Sequence, residues 1–112
     1  MNTQNRNTLY RLLSEKDSIA IGYEKLSITG TAQALTIPDG ATYAELRLES
    51  DVTASIPVRY LMLGNDTLPT ATVGMALNHL DFFDIDNGSN MVNFRVIRTT
   101  GGTHTLHVQY YK

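Results

Sequence analysis

Strict alternation of apolar and polar residues is the feature that most constrains the fold of this chain. It is clearest over residues 42–49, where Ala44, Leu46 and Leu48 alternate with Tyr43, Glu45, Arg47 and Glu49. Successive side chains of a β-strand point to opposite faces, whereas a helix would repeat every 3.6 residues. The segment therefore predicts a strand with one face against a core and the other face in water.

The same period-two pattern recurs along most of the chain after residue 19. It is visible near residues 26–28, 35–37, 56–62, 80–85, 92–97 and 105–111, and a short strand is predicted near Met75. Turn signals separate these runs, among them Pro38-Asp39-Gly40 and Asn87-Gly88, the second typical of a tight hairpin. Because short turns join antiparallel neighbours, we predict an all-β fold over residues 19–112. It would be an antiparallel β-sandwich of seven or eight short strands, jelly-roll or immunoglobulin-like, with no helix after residue 20.

Residues 1–18 differ from the rest and are predicted to form an N-terminal arm. They are polar except for one apolar cluster, whose spacing fits one face of a short helix: Leu9, Tyr10, Leu12 and Leu13. One interpretation is a frayed terminus. The other is an arm that folds against a neighbouring subunit, where burial of the leucines offsets the cost of ordering the segment.

Charge and composition exclude several classes of function. The 112 residues carry a formal net charge of −2, and their nine lysines and arginines are scattered, so no basic stripe suggests a nucleic-acid partner. There is no cysteine, which excludes disulfides and thiolate metal sites. The chain start is too polar for a signal peptide, and no apolar run approaches the roughly 18 residues of a membrane span. We therefore expect no membrane partner and synthesis in a cytoplasm.

No arrangement of residues predicts catalysis, a cofactor or a metal. His104 and His107 would point to opposite faces of one strand, and His79 with Asp81 is a weak pair. Asp81, Asp84 and Asp86 precede an Asn-Gly-Ser-Asn loop that suits calcium in composition. However, the loop departs from the EF-hand register, and we interpret it as a solvated turn.

Tyrosines raise one alternative, because amphipathic rings are common in recognition surfaces. The alternation places Tyr60 and Tyr110 in the core and leaves Tyr43 and Tyr111 exposed. Exposed tyrosines are found both in sugar-binding platforms and at oligomer interfaces. Carbohydrate binding is therefore an alternative to assembly.

Several pieces of the sequence, covering roughly residues 26–111, resemble small virion proteins of tailed bacteriophages. They are residues 34–49 (ALTIPDGATYAELRLE), 58–60 (VRY), 69–74 (PTATVG), 93–98 (NFRVIR) and 105–111 (TLHVQYY). The middle pieces also look like the β-sandwich appended to chitobiase-type enzymes, in which a V-R-Y strand precedes a D-G-T-x-P-T loop. That match is partial, because residues 64–70 here read GNDTLPT.

The resemblance implies a non-catalytic virion structural protein, made in the cytoplasm of a bacterial host. It would assemble on the capsid surface, at a fibre base or in the head–tail region. The implied partners are a major capsid or connector protein and further copies in a homo-oligomer. We assign the assembly interface to Leu9, Tyr10, Leu12, Leu13, Tyr43 and Tyr111. The alternative is a carbohydrate-binding accessory module with a glycan as ligand.

Overall fold

The computed structural model describes residues 19–112, which form seven strands and one short helix. In chain order these are β1 (Ala20–Ser27), β2 (Tyr43–Ser50), β3 (Val58–Leu61), β4 (Met75–Leu77), β5 (Phe82–Ile85), α1 (Gly88–Asn93), β6 (Arg95–Arg98) and β7 (His104–Tyr111). All strand pairs are antiparallel, and the strands form two sheets around a common core. The predicted all-β sandwich is confirmed. The predicted arm, residues 1–18, lies outside the described residues.

The larger sheet has four strands in the order β1-β7-β2-β5. Its centre is the pair of β7 and β2, which stay in register from Tyr43 opposite Tyr111 to Ser50 opposite His104. The alternation predicted for residues 42–49 is confirmed, because Ala44, Leu46 and Leu48 are buried. The apolar side chains of this strand thus attach the sheet to the core, and its other side chains form an outward surface.

The smaller sheet has three short strands in the order β4-β3-β6. Beside β6, Gln33 makes an isolated antiparallel bridge with Val96. With this bridge taken as a reduced eighth strand, the chain crosses between the sheets at every connection except the one from β3 to β4. That connectivity is the jelly-roll topology, one of the two alternatives that the sequence left open.

The core lies between the two sheets and contains side chains from both. Its aromatic centre is Phe94, which is fully buried and stacks on Tyr60 of β3 at 5.5 Å between ring centroids. Phe83 of β5 stacks on Tyr60 at 4.8 Å. Tyr110 is buried as predicted, and its hydroxyl donates to Glu24 at 2.9 Å. Tyr60 also packs against the core, as predicted, but it lies at the rim and is only half-buried.

Around Asn87-Gly88 the structure corrects the sequence analysis. The predicted hairpin turn is instead the start of helix α1, because the Asn87 side chain accepts hydrogen bonds from the backbone N–H groups of Ser89 and Asn90. Asparagine is a strong helix N-cap as well as a turn former. Met91 is the buried residue of this helix. Because the helix continues to Asn93, the strand predicted over residues 92–97 begins only at Arg95.

Two further strand predictions are corrected, one for a strand that does not form and one for a strand that is shorter than expected. Residues 35–37 are not in a strand, although Leu35 and Ile37 pack partly against the core. The strand predicted over residues 80–85 begins at Phe82, because Leu80 has a left-handed φ of 69°. By contrast, the turn at Pro38-Asp39-Gly40 is confirmed. The N–H of Ala41 donates to the Pro38 carbonyl at 3.2 Å, and Gly40 has the φ of 85° that favours glycine.

The two ends of the described chain meet at one edge of the four-stranded sheet. Ile19 and Lys112 exchange both backbone hydrogen bonds, at 3.1 and 3.0 Å. Over residues 19–112, no helix has the length and hydrophobicity needed to cross a membrane.

Candidate functional site

The most elaborate surface of the molecule is the outer face of the four-stranded sheet, that is, the side chains of β1, β7, β2 and β5 that point away from the core. Strand pairing arranges these side chains in rows across the sheet. One row contains Lys25, His107, Arg47 and Phe82, and the next contains Tyr23, Gln109, Glu45 and Asp84. Four segments that are distant in sequence thus contribute to one surface.

Four planar side chains form a strip across this face, which we name the planar strip: Tyr23, His107, Arg47 and Phe82. The Tyr23 ring stacks on the His107 ring, with centroids 6.0 Å apart and an interplanar angle of 22°. At the other end, the Arg47 guanidinium carbon lies 5.3 Å from the centroid of the Phe82 ring. Despite these contacts, Tyr23 remains 60% exposed and Phe82 70% exposed.

Hydrogen bonds fix the orientation of Tyr23. His107 Nε2 lies 2.9 Å from a carboxylate oxygen of Glu49, so this nitrogen carries the proton and donates. Nδ1 forms a hydrogen bond with the Tyr23 hydroxyl, at an oxygen–nitrogen distance of 2.6 Å. The chain Tyr23–His107–Glu49 satisfies the hydroxyl and leaves the exposed face of the ring for contact.

Alongside the strip lies a polar row formed by Gln109, Glu45 and Asp84. Together with the strip, these residues line an open hollow of about 350 Å³. The row offers two carboxylates and one amide, which accept and donate hydrogen bonds. The hollow is therefore aromatic at its two ends and hydrogen-bonding along its floor.

Tyr43 and Tyr111, two of the predicted interface residues, lie on the same outer face beyond the polar row. Their rings stack directly, with centroids 4.5 Å apart and an angle of 6°, so each tyrosine is half-buried. The Tyr111 hydroxyl donates to Glu45 at 3.2 Å. The structure thus brings these two tyrosines together. The other four predicted interface residues, Leu9, Tyr10, Leu12 and Leu13, lie outside the described residues.

Within residues 19–112, the side chains of Ser50 and His104 form a serine–histidine pair joined by a hydrogen bond. His104 Nε2 donates to the Thr100 carbonyl at 3.1 Å, and Nδ1 forms a hydrogen bond with the Ser50 hydroxyl at 2.8 Å. The backbone N–H of Ser50 donates to His79 Nδ1 at 3.1 Å. Ser50 is 7% and His104 2% exposed, so a substrate cannot reach the hydroxyl. This network fastens the ends of β2 and β7.

The predicted division between His104 and His107 is confirmed, since one side chain is buried and the other lies on the outer face. The acidic residues near α1 diverge in the structure. Asp84 joins the polar row, and Asp81 accepts the N–H of Asn78 at 2.8 Å in a tight turn. Within residues 19–112 no three carboxylate, histidine or cysteine side chains are grouped in a way that would hold a metal ion.

A second notable surface, which we name the apolar edge, lies on β4 and in the loop before it. Its four large apolar side chains are all about half exposed or more: Leu63, Leu68, Val73 and Met75. β4 is an edge strand that pairs only with β3 among the described strands. The sequence predicts the strand near Met75 but not this exposure.

The loop that carries these residues has a fixed shape. The N–H of Thr70 donates to the Val73 carbonyl at 2.9 Å, and the Arg59 guanidinium donates to the carbonyls of Gly74 at 2.8 Å and Ala71 at 3.3 Å. Gly74 has a φ of 135°, and a Cβ there would lie 3.1 Å from the Tyr60 carbonyl oxygen. Only glycine allows the loop to approach β3 so closely.

No family model, curated protein or solved structure matches the chain. The resemblance to phage virion proteins therefore stays a prediction. The sequence predicts Arg47 on the face in water and His107 on the opposite face from His104, but it does not predict the planar strip. The missing information was the strand order, which alone brings Tyr23 and Phe82 to the same surface.

Proposed function

We propose that this protein is a non-catalytic structural protein of a tailed-bacteriophage particle, acting by assembly on the capsid surface or in the head–tail region. Its partners would be a capsid or connector protein and other copies of the same chain. The observation that carries the proposal is the apolar edge, a group of exposed apolar side chains on a short edge strand and in a loop of fixed shape.

Exposed apolar side chains on an edge strand favour association. An edge strand has backbone N–H and C=O groups available for pairing, and soluble monomers usually protect such edges with charge. Here the edge carries Met75 and Val73 instead, with Met75 59% exposed. Burial of such side chains against a partner contributes roughly 25 cal/mol for each Å² removed from water. Assembly around a symmetry axis would cover the edge.

Three further observations support the same function. The loop of the apolar edge contains residues 69–74, one of the pieces that resemble phage virion proteins. The jelly-roll topology is also frequent in viral capsid proteins, although this support is a fold analogy only. Among residues 19–112, the one serine–histidine pair noted above is closed to substrates, which favours binding over catalysis.

The decisive test is to purify phage particles by density gradient from an induced lysate of the bacterium that carries the gene. Mass spectrometry should find the protein in the particle band at a constant ratio to the capsid protein. Recovery only from the particle-free fraction would refute the proposal.

A variant of the apolar edge and an exposed control variant then locate the interface. Val73→Lys with Met75→Lys should lower incorporation into particles by about ten-fold, because it places two charges in a buried contact. Val92→Lys, at an equally exposed residue of α1, is the control and should leave incorporation unchanged. Circular dichroism would verify that both proteins are folded. Equal incorporation of both variants would move the interface away from the apolar edge.

A further inference from the structure

Tyr23 and Phe82 are two exposed aromatic rings whose orientations are fixed before any ligand binds. Each ring lies against a planar group on a neighbouring strand, Tyr23 against His107 and Phe82 against Arg47. The Tyr23 hydroxyl is occupied by its 2.6 Å hydrogen bond to His107. Because the rings are already ordered, a ligand that stacks on them loses little conformational entropy in ordering the protein.

The position of the rings sets the length of a ligand. Tyr23 lies on β1 and Phe82 on β5, which are three strand spacings apart, or about 14 Å across the sheet. This distance exceeds one sugar ring, so a ligand that contacts both residues is an extended chain of rings. The polar row runs beside this path and lines the same hollow.

The chemistry of the hollow selects among ligands. A protein partner would need a dry apolar centre, whereas the floor between the two rings carries Gln109, Glu45 and Asp84. On this face three carboxylates, two of them in the hollow, outnumber the cations Lys25 and Arg47, which disfavours a polyanion. A neutral saccharide suits both features, because its C–H faces stack on aromatic rings and its hydroxyls pair with carboxylates and amides.

We propose that the outer face of the four-stranded sheet is a binding site for a neutral oligosaccharide. Sugar rings lie on Tyr23 and Phe82, and hydroxyl groups between them hydrogen-bond to Gln109, Glu45 and Asp84. This inference goes beyond the assembly function and does not depend on it. The apolar edge belongs to the other sheet, so the two proposals concern different residues.

The test is a glycan array of neutral and anionic oligosaccharides probed with the full chain. Calorimetry would follow with cellohexaose, maltohexaose, chitohexaose and mannohexaose, and a hyaluronan hexasaccharide would represent the anionic class. At least one neutral glycan should bind in preference to the anionic ones. Absence of any neutral binder, or binding of anionic glycans alone, would overturn the proposal.

Variants connect the binding to the site. Tyr23→Ala and Phe82→Ala should each raise the Kd by about ten-fold, because each removes one stacking surface. Tyr23→Phe should raise the Kd less than Tyr23→Ala does, by about three-fold, because the stacking surface remains while the hydrogen bond that orients the ring is lost. Met75→Ala is the matched exposed control and should have no effect. Neutral-glycan binding that survives both alanine variants would place the site elsewhere and refute the assignment.

The two proposals fail independently. Particle incorporation should respond to Val73→Lys with Met75→Lys and not to Tyr23→Ala, and glycan affinity should show the reverse. Each experiment therefore supplies the folded control for the other.

Discussion

The two sheets of the sandwich differ in how their exposed side chains are supported. In the four-stranded sheet, β7 pairs with β1 and β2 along its whole length, and the exposed rings lie on planar neighbours. In the three-stranded sheet each strand has three or four residues, and its exposed apolar side chains lie on an edge strand and a loop. The outer face of the larger sheet is therefore supported by contacts within that sheet. The apolar edge is supported by the hydrogen bonds of the Arg59 side chain.

This difference suggests a division of roles. A long, fully paired sheet keeps its geometry without a partner, so its outer face suits a preformed binding site. A short sheet with an apolar edge gains more from being covered. The comparison can be tested by changing matched residues in the two sheets.

The largest expected effect comes from the two phenylalanines Phe94 and Phe82. Phe94→Ala should lower the free energy of unfolding by about 3–5 kcal/mol, because it empties the aromatic centre that connects α1, β3 and β5. Phe82→Ala should change it by less than about 0.5 kcal/mol, since the ring is exposed. Urea unfolding of both variants measures the contrast. A large loss of unfolding free energy in Phe82→Ala would mean that the planar strip contributes to the stability of the sheet.

An intermediate effect is expected from two arginines, Arg59 beside the apolar edge and Arg47 in the planar strip. Arg59→Met should cost about 1–2 kcal/mol of unfolding free energy, because the Gly74 and Ala71 carbonyls lose their charged donor. Arg47→Met, on the outer face of the larger sheet, should cost less than about 0.5 kcal/mol. Hydrogen exchange should also show faster opening of residues 70–75 in Arg59→Met alone. Equal exchange in the two variants would contradict the bracing role of Arg59.

The effect that is smallest at neutral pH appears only in alkali, and it compares one tyrosine from each sheet. Burial raises the pKa of the Tyr110 hydroxyl well above its usual range, and the hydrogen bond to Glu24 raises it further. Burial also raises the pKa of Tyr60. A raised pKa means that the folded state keeps a proton that the unfolded state releases above about pH 10, so stability is intact below that pH and falls above it.

The slope of this loss should approach about 1.4 kcal/mol per pH unit for one such tyrosine. Tyr110→Phe should flatten the decline between about pH 10 and 11.5 more than Tyr60→Phe, because burial and Glu24 act together at Tyr110. Urea midpoints measured across this range give the slopes. Parallel curves for wild type and Tyr110→Phe would contradict the assignment.

Much of the fold could be predicted from local pattern. The alternation around Leu46 fixed which face of β2 is buried, and Pro38 with Gly40 fixed a turn, because both signals depend on neighbouring residues only. Asn87 shows the limit of such signals. The same residue type begins hairpin turns and caps helices, and the burial of Met91 decides between them only in the folded chain.

The candidate site was less predictable, for a physical reason. Tyr23, His107, Arg47 and Phe82 come from four strands, and each one alone looks like an ordinary residue on a solvent-exposed face. Their proximity depends on β7 inserting between β1 and β2, which no local pattern reports. The stacking of Tyr43 on Tyr111 has the same origin, and it half-buries two residues that alternation alone marks as exposed.

The central place of β7 also has a consequence for the order of events during synthesis. β1 emerges early from the ribosome, but its only strand partner among the described residues is β7, the last strand of the described chain. Until β7 emerges, β1 has no partner to pair with, and β2 can pair only with β5. Closing the sheet then joins segments that are distant in the described chain, a topology whose folding takes milliseconds to seconds. We therefore expect the larger sheet to close only once β7 is available, in one late step that creates its outer face.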